Sequence, residues 1–307
     1  MKEIEECFFK VKNDYLRYLK NEKIFNKSNS AKIEALKNFY IPLSYWIENK
    51  YKKKRKTLIL GLSGGQGSGK TTVAGTLKII LNKFFKRQIY ISSIDDFYKT
   101  SIERNKMSSY IHPLFKTRGV PGTHDINFIK SFLNRTRKKN FKAIKLPKFD
   151  KANDNRYKKK YWFHIKKKPE IVILEGWCVG AKPQTNFLIK KSINELEKND
   201  DKNLKWRKYV NEKLKNEYKK LFAMIDEFIF IKIPDFNVVL KWRFLQEKKL
   251  KKRPHLKKKI MSYNEIKRFI MFYQRITLQM IKDLSKSASV IMLLKSNHEV
   301  KKIYFKN

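Results

Sequence analysis

The sequence feature that most constrains the fold is a glycine-rich segment at residues 64–71, which reads GGQGSGKT. An apolar run at 57–62 precedes it, and a helix-like run at 72–81 follows it. This succession of strand, loop and helix is the context that a G-x-x-x-x-G-K-[ST] phosphate-binding loop requires. Its glycines let consecutive backbone N–H groups turn towards a phosphate, and the helix N-terminus adds positive potential. The segment therefore predicts a nucleotide site in an α/β fold.

Two residues at the end of this loop have defined chemical roles in such sites. Lys70 is expected to reach the β- and γ-phosphates of ATP, and the Thr71 hydroxyl is expected to ligate Mg²⁺. The residues expected to bind ATP are Gly64, Gly65, Gln66, Gly67, Ser68, Gly69, Lys70, Thr71 and Thr72.

A second motif overlaps the loop, because residues 62–66 read LSGGQ, the string that marks ABC-transporter ATPases. In those ATPases the string lies well downstream of the phosphate loop, on a separate helical subdomain. Here it lies inside the loop itself, and the sequence has no second copy. We interpret it as a coincidence.

Five short apolar runs predict a parallel sheet. The runs are residues 57–62, 88–93, 171–174, 228–233 and 289–294. Because they lack strict alternation, they fit strands that are buried on both faces and covered by helices. The predicted fold class is α/β, doubly wound, with a mostly parallel five-stranded sheet and long insertions around 97–165 and 181–222.

Helical periodicity is clearest at the two ends of the chain. Apolar residues at spacings of three and four predict amphipathic helices over 3–20 and 31–50, with Pro42 starting a second segment in the latter. Ser262 and Glu265 form an S-x-x-E capping box that predicts the start of a long C-terminal helix. We therefore expect an N-terminal helical extension over 1–56.

The chain is strongly basic, with 73 Lys and Arg against 28 Asp and Glu, a net charge of +45. Such a charge suggests nucleic acid, anionic membranes or acidic small molecules as partners. However, lysines are spread over the whole length, and Lys, Asn, Ile, Phe and Tyr are all abundant, which favours the composition of an AT-rich genome. No apolar run approaches the roughly 18 residues of a membrane span, and the start MKEIEECFF does not resemble a signal peptide. We expect a cytoplasmic protein for which nucleic acid is an unlikely partner.

Acidic residues follow two of the predicted strands. Asp95 and Asp96 come after the second strand, and Glu175 ends the third. Because ligands of open α/β sheets gather at the carboxyl ends of the strands, these acids should lie near the phosphate loop. Phosphoryl transfer to an alcohol benefits from a carboxylate that accepts the hydroxyl proton. The alternative for the Asp pair is a solvated cap of the next turn.

Two loops between the second and third strands mix turn residues with Arg, His and Asp. They are 118–125, RGVPGTHD, and 146–156, LPKFDKANDNR. Both suit a small anionic substrate, and ordinary polar loops are the alternative. A basic segment at 241–253 suits a lid over the ATP phosphates, with a solvated basic face as the alternative.

Taken together, these segments resemble the glycerate kinase group, D-glycerate 3-kinase-like P-loop kinases of the phosphoribulokinase/uridine kinase superfamily. The resemblance covers nearly the whole chain. The motifs that carry it are FYIPLSYWI (39–47), GGQGSGKTT (64–72), SIDDFYKT (93–100), RGVPGTHD (118–125), LPKFDKANDNR (146–156), ILEGWCVG (173–180), LKWRKYVNEKL (204–214), PDFNVVLKWRFLQE (234–247) and MSYNEIKRFIMFYQRITLQM (261–280). It implies a P-loop NTPase fold with a lid insert, and a kinase domain over 57–307.

The resemblance also implies ATP- and Mg²⁺-dependent phosphorylation of a small hydroxyl substrate, foremost D-glycerate, with uridine or pantothenate as alternatives. It implies Asp95 as general base, together with Lys70 and Glu175 as catalytic residues, and Thr71 and Glu175 as metal ligands. Arg243, in the lid region, would bind the nucleotide. The implied substrate-binding residues are Asp96, Tyr98, Arg118, His124, Asp125 and Arg156. Residues 151–155 depart from the small, glycine-rich stretch expected before Arg156, which leaves the acceptor open.

Two questions stay open at the level of sequence. The choice of Asp95 over Asp96 as the base rests on alignment with the family alone. The basic charge also motivates a nucleic-acid-associated P-loop ATPase, although no stripe of basic and aromatic residues accompanies it. A GTPase is not indicated, because the sequence has neither an NKxD motif nor a DxxG after the third strand.

Overall fold

The structure, a computed structural model, describes residues 2–24, 28–251 and 261–306. In chain order its α-helices are α1 Lys2–Asn21, α2 Asn29–Ala35, α3 Ile41–Lys54, α4 Lys70–Lys83, α5 Ser101–Tyr110, α6 Ile126–Arg137, α7 Asn186–Lys190, α8 Glu195–Asp200, α9 Lys205–Lys213, α10 Lys219–Phe222, α11 Asn237–Lys251 and α12 Tyr263–Ser287. Its strands are β1 Leu58–Gly64, β2 Ile89–Ser93, β3 Ile144–Leu146, β4 Phe149–Asp150, β5 Asn155–Arg156, β6 Phe163–Ile165, β7 Ile171–Gly176, β8 Glu227–Lys232, β9 Val290–Leu294 and β10 Val300–Phe305. Two π-helical segments, Leu36–Tyr40 and Leu214–Tyr218, continue the helices beside them.

The main sheet of the described residues has six strands in the order β10-β9-β8-β1-β7-β2. Strands β2, β7, β1, β8 and β9 pair in parallel, whereas β10 pairs antiparallel with β9 at the edge. The five predicted strands are confirmed with ends that differ by at most two residues. The predicted count of five is wrong, because β10 was missed. It carries exposed lysines at 301 and 302 and lacks the continuous apolar run of the buried strands.

Consecutive residues of β1 enter hydrophobic cores on opposite faces of the sheet. Ile59 belongs to the core that includes residues of α6, α9 and α12. Leu58, Leu60 and Leu62 belong to the core that includes residues of α1, α3 and α4. Because side chains alternate across a strand, burial on both faces requires apolar residues at every position. The doubly wound arrangement is therefore confirmed.

The N-terminal helices pack against the helix that follows the glycine-rich loop. Helix α1 buries Phe8, Val11, Tyr15 and Leu19 of the predicted apolar stripe, and it also buries Cys7. The Tyr18 hydroxyl donates to the carbonyl oxygen of Thr71 at 3.2 Å. A Cβ on Gly75 would lie 2.1 Å from that hydroxyl oxygen, so α1 and α4 are in close contact. The helical segment ends with α3 at Lys54, and a domain boundary at residue 56 stays a prediction.

The two predicted insertions have secondary structure of their own. Residues 97–165 form α5, α6 and two small antiparallel pairs, β3 with β6 and β4 with β5, and residues 181–222 form α7 to α10. The predicted start of α12 is confirmed, since Ser262 and Glu265 make both hydrogen bonds of a capping box. None of the described helices combines the length and apolar character of a membrane-spanning segment.

Candidate active site

Three strand ends form the edge of the sheet at which the candidate site lies. In the sheet register, Glu175 of β7 pairs with Leu62 of β1 on one side and with Ser93 of β2 on the other. The glycine-rich loop directly follows β1, and a 3₁₀ turn, Ile94–Phe97, directly follows Ser93. The loop, Glu175 and this acidic turn therefore meet at one edge, as predicted from the carboxyl ends of parallel strands.

The glycine-rich loop turns the chain from β1 into α4. Gly67 has φ +78°, a left-handed conformation that glycine adopts without strain. A Cβ at this position would lie 3.0 Å from the Cβ of Trp242 on α11. Gly69 is the N-cap residue of α4, so the loop leads directly into the positive end of the helix dipole.

Lys70 connects the loop to the acidic residues. Its Nζ donates to the carbonyl oxygens of Gly64 and Gly65, each at 3.0 Å. Burial lowers the pKa of Lys70, while the nearby carboxylates of Glu175 and Asp95 act in the opposite direction. Glu175 is 7% exposed, and burial raises its pKa against the effect of Lys70. The ammonium and the two carboxylates thus influence one another electrostatically.

Unpaired polar atoms in the loop indicate a ligand site. The side-chain amide of Gln66 and the hydroxyl of Ser68 are buried and have no hydrogen-bond partner among the described residues. Buried polar groups are normally paired, so such atoms need an explanation. The oxygens of a bound phosphate would supply hydrogen-bond partners for Gln66 and Ser68. Thr71 and Thr72 lie next to them, in the first turn of α4, and the Thr71 side chain is exposed. The residues present therefore fit a nucleoside triphosphate.

The same residues fit magnesium. Across the described ranges, no group of three or more His, Cys, Asp or Glu side chains is arranged to hold a metal ion. In phosphoryl-transfer sites, however, Mg²⁺ is bound by one or two protein oxygen ligands together with substrate phosphates and water. The hydroxyl of Thr71 and the carboxylate of Glu175 are oxygen ligands of the required kind.

The carboxylate of Asp95 accepts hydrogen bonds at both oxygens. The Tyr98 hydroxyl donates to Oδ1 at 2.8 Å, and Nζ of Lys151 donates to Oδ2 at 3.0 Å. Burial by itself raises the pKa of Asp95, but Lys151, His124 and Tyr98 together lower it below its usual value. Asp95 is therefore an ionised, oriented carboxylate at neutral pH.

Asp96 has a different environment from its neighbour. Its Oδ1 accepts a hydrogen bond from the backbone N–H of Phe149 on β4 at 3.3 Å. Burial raises the pKa of Asp96 to about 6. The structure thus distinguishes two acids that the sequence left equivalent, since Asp95 contacts a cation and Asp96 contacts the backbone.

Tyr98 and His124 lie side by side on the acceptor side of Asp95. Their rings stack with centroids 4.5 Å apart, and their backbones form an antiparallel bridge. Nδ1 of His124 lies 2.6 Å from the Tyr218 hydroxyl, whereas Nε2 is buried and has no hydrogen-bond partner among the described residues. Burial lowers the pKa of His124 to about 4, so the ring is neutral at pH 7. Its Nε2 atom is suited to bind a polar ligand.

Three further predicted substrate-binding residues hold the acceptor loops in place. Arg156 donates to the carbonyl oxygen of Tyr98 at 2.7 Å and to Asp125 at 3.3 Å. Asp125 also caps the N-terminus of α6, and Arg118 pairs with Asp154. These contacts bring the two loops against the acidic turn. A substrate-binding role for Arg118, Asp125 and Arg156 stays a prediction.

The predicted lid is described only in part. Arg243 lies on α11, where its guanidinium donates to Glu247 of the same helix and lies 5.4 Å from the centroid of the Phe269 ring. Lys252 and Arg253, at the end of the predicted lid, lie outside the described residues. Nucleotide binding by Arg243 and closure of the lid stay predictions.

Sequence reasoning missed several residues around the loop and the acids. Nε2 of His298 lies 2.9 Å from the carbonyl oxygen of Gly67, and its ring stacks on Trp242 with centroids 4.0 Å apart. His298 stands in the turn between β9 and β10, where no motif marks it. Lys151 lies in the loop 146–156 that was predicted to suit a small anionic substrate, but it was not named among the substrate-binding residues, and residues 151–155 were noted as a departure from the family pattern.

Comparisons with known proteins agree with this fold and with the class of enzyme that a phosphate loop indicates. The uncharacterized kinase mug58 of Schizosaccharomyces pombe is 32% identical over 237 residues, which cover 74% of this chain and 82% of that protein. The chloroplastic D-glycerate 3-kinase of Arabidopsis thaliana is 28% identical over 229 residues, 69% of this chain, but the match spans only 48% of the plant protein. The solved structure of D-glycerate 3-kinase from Cryptococcus neoformans superposes with a TM-score of 0.72 at 22% identity, covering 87% of this chain and 99% of that one. No family model matches the chain.

The phosphate loop and the acidic edge of a mostly parallel sheet, with these likenesses, define a P-loop phosphotransferase that acts on a hydroxyl acceptor. The chain belongs to the D-glycerate 3-kinase-like P-loop kinases, which are related to uridine and pantothenate kinases.

Proposed function

We propose that the chain transfers the γ-phosphoryl group of ATP to D-glycerate and forms 3-phosphoglycerate. The observation that carries the proposal is the Asp95 carboxylate, which lies at the same sheet edge as Lys70 and Glu175 and is held at both oxygens. A carboxylate beside a phosphate loop suits the removal of a proton from an alcohol. Two proteins similar to this chain are named D-glycerate 3-kinase, which supports glycerate as the acceptor.

The donor side of the site binds the nucleotide. In this proposal the backbone of the loop and Lys70 bind the β- and γ-phosphates, and Arg243 of α11 adds a cation on the lid side. Mg²⁺, when held by Thr71 and Glu175, supplies charge stabilisation at the phosphates. Lys70 donates to the carbonyl oxygens of Gly64 and Gly65, so its Nζ exchanges these partners for phosphate oxygens in this proposal.

The chemical step places Asp95 at the acceptor hydroxyl. The hydroxyl oxygen attacks the γ-phosphorus, and its proton passes to Asp95. The new P–O bond forms while the bond from the γ-phosphorus to the bridging oxygen breaks, and that electron pair leaves with ADP. Lys70 offsets the negative charge that shifts between these oxygens. The residues proposed to orient the acceptor are Asp96, Tyr98, Arg118, His124, Asp125 and Arg156.

The test is a screen of ATP consumption with D-glycerate, uridine, pantothenate and ribulose 5-phosphate as acceptors. We expect D-glycerate to stimulate ADP release, with an equimolar amount of 3-phosphoglycerate detected by phosphorus NMR. The matched control is the Lys70→Met variant, which should give no product with any acceptor. Uridine and pantothenate are included because their kinases are similar to this chain. Stimulation by one of these and not by D-glycerate would overturn the proposed substrate.

The rival function, a nucleic-acid-associated ATPase, rests only on the +45 charge. It predicts ATP hydrolysis that RNA or DNA stimulates and that declines steeply with salt. Adding single-stranded RNA to the same screen tests it, and we expect no stimulation. The cytoplasmic location stays a prediction.

A further inference from the structure

Lys151 lies in the turn between β4 and β5 and reaches across to Asp95. Its Nζ donates to Oδ2 of Asp95 at 3.0 Å, while Oδ1 is occupied by the Tyr98 hydroxyl. The Lys151 side chain is 63% exposed and the Asp95 side chain is 26% exposed. The carboxylate that the proposed function assigns to the hydroxyl proton is therefore covered by a lysine that approaches from solvent.

The arginines of the same loops have more extensive contacts. Arg156 donates to the carbonyl oxygen of Tyr98 at 2.7 Å and to Asp125 at 3.3 Å. Arg118 pairs with Asp154, and its guanidinium lies 5.3 Å from the centroid of the Phe149 ring. A guanidinium held by several partners is poorly suited to move, whereas an ammonium on a flexible stem exchanges partners readily. The lysine of the pair with Asp95 is exposed to solvent, which screens their attraction, so another anion can compete for the lysine.

The charges at this edge make such an exchange useful. Besides burial, the nearby charge of Asp95 raises the pKa values of both Asp96 and Glu175, and the proposed function brings the acceptor hydroxyl to this edge. An acceptor with its own acid group would bring a further like charge next to Asp95, which is unfavourable unless a cation accompanies it. Lys151 already lies at hydrogen-bond distance from Asp95, so a short movement of its side chain brings the cation to the acceptor.

We propose that Lys151 determines specificity by exchange: it leaves Asp95 and binds the acid group of the acceptor, so that Asp95 becomes free for the hydroxyl proton only when an anionic acceptor is present. This inference rests on the proposed function, in which the acceptor is a small hydroxy acid. It has two consequences. Lys151 favours anionic over neutral acceptors, and it restrains Asp95 from activating water when no acceptor is bound.

The experiment compares Lys151→Met, Lys151→Arg and a matched control, Lys148→Met. The control removes the same charge from the same loop, but its Nζ lies over the rings of Tyr157 and Phe163 instead of at Asp95. Steady-state kinetics are measured with D-glycerate and with glycerol, its neutral counterpart, and ATP hydrolysis is measured with MgATP alone.

We expect Lys151→Met to raise the KM for D-glycerate by about 10-fold or more, as loss of a charge-assisted hydrogen bond predicts. For D-glycerate, kcat should change less than KM. For glycerol, the KM should stay near that of the wild type and kcat should rise, because Lys151 no longer covers Asp95 when the acceptor is neutral. In Lys151→Arg the KM for D-glycerate should stay close to that of the wild type. Hydrolysis of MgATP alone should rise by roughly threefold or more in Lys151→Met, because Asp95 is then free to act on water.

Equal KM effects of Lys151→Met and Lys148→Met would overturn the inference, since they would show a general effect of charge. A parallel loss for D-glycerate and glycerol would also overturn it. If the wild type does not phosphorylate D-glycerate at all, the proposed function fails, and hydrolysis of MgATP alone then decides the inference. Unchanged hydrolysis in Lys151→Met would reject the exchange, and increased hydrolysis that Lys148→Met does not reproduce would support it.

Discussion

The two sides of the candidate active site are constructed differently. The donor side, residues 58–83, is one continuous segment of strand, glycine-rich loop and helix. The groups proposed to bind the phosphates there are chiefly backbone N–H groups. The acceptor side is assembled from segments far apart in the chain. Asp95 and Lys151 are 56 residues apart, and His124 and Tyr218 are 94 residues apart.

This difference determines how each side responds to substitution. On the donor side the geometry depends on the loop backbone and on the contact of α1 with α4, so a change of one supporting side chain should have a small effect. On the acceptor side, side chains are held by other side chains, so the loss of one should affect several neighbours. Groups in one network are not independent in energy. Four predictions test this comparison.

The largest effect is expected for Asp95→Asn on the acceptor side. The amide keeps the size of the side chain but does not take up the hydroxyl proton, so kcat should decrease by roughly 10²–10⁴-fold. ATP binding, measured by calorimetry, should stay close to wild type because the donor side is intact. Asp96→Asn is the comparison variant, since its oxygen can still accept from the Phe149 N–H. A larger loss of kcat in Asp96→Asn than in Asp95→Asn would show that the base is assigned to the wrong residue.

The next largest effect is on stability: Gly119→Ala on the acceptor side should lower the free energy of unfolding more than Gly75→Ala on the donor side. Gly119 has φ +134°, and a Cβ there would lie 2.3 Å from the Tyr273 hydroxyl. Backbone strain and the displaced tyrosine together should lower the free energy of unfolding by roughly 2–4 kcal/mol. On the donor side, the Cβ of Gly75→Ala would also contact the Tyr18 hydroxyl, but Gly75 does not have a positive φ. The higher helix propensity of alanine, about 1 kcal/mol, offsets part of the cost of this contact.

Urea denaturation of both variants gives the comparison directly. An equal or larger loss for Gly75→Ala would mean that the donor side is no more tolerant than the acceptor side.

The same difference explains what the sequence could and could not predict. Lys70 and Thr71 could be predicted as site residues because their neighbours in sequence are also their neighbours in space. The start of α12 was identified for the same reason, since Ser262 and Glu265 cap one turn. The parallel strands were recognised because burial on both faces requires continuous apolar residues.

Long-range pairing determines the parts that were missed. The position of Lys151 beside Asp95 depends on the pairing of β4 with β5 and on the contact of Asp96 with Phe149. His298 reaches Gly67 only because β10 turns back along β9 at the edge of the sheet. No spacing in the sequence encodes either pairing, and an exposed edge strand lacks the apolar pattern of a buried one.

A smaller effect on the acceptor side should appear as a pH dependence of stability. Burial lowers the pKa of His124 from 6.5 to about 4 in the folded protein. Between these two pH values the unfolded chain binds a proton that the folded protein does not. The contribution of neutral His124 to the free energy of unfolding is therefore fully present above pH 6.5 and is lost as the pH falls towards 4. His124 should contribute roughly 1–3 kcal/mol to this loss. Denaturant unfolding at pH 7, 5.5 and 4.5 measures it.

The control for this pH dependence is His124→Gln, which keeps a polar group but does not titrate. The difference in unfolding free energy between wild type and variant should narrow as the pH falls. A difference that stays constant from pH 7 to 4.5 would contradict a neutral, buried His124.

The smallest effect is expected for Tyr18→Phe, on the donor side. The substitution removes the hydrogen bond from the hydroxyl to the carbonyl oxygen of Thr71 and leaves the ring in place, so it should cost about 0.5–1.5 kcal/mol of stability. Because α1 supports α4 through this contact, the KM for ATP should rise slightly while the KM for the acceptor does not change. The matched control is Tyr45→Phe, whose hydroxyl donates to the backbone of Glu3 at 3.0 Å, within the N-terminal helices. If both variants shift the KM for ATP equally, the N-terminal helices support the domain as a whole and not the phosphate loop in particular.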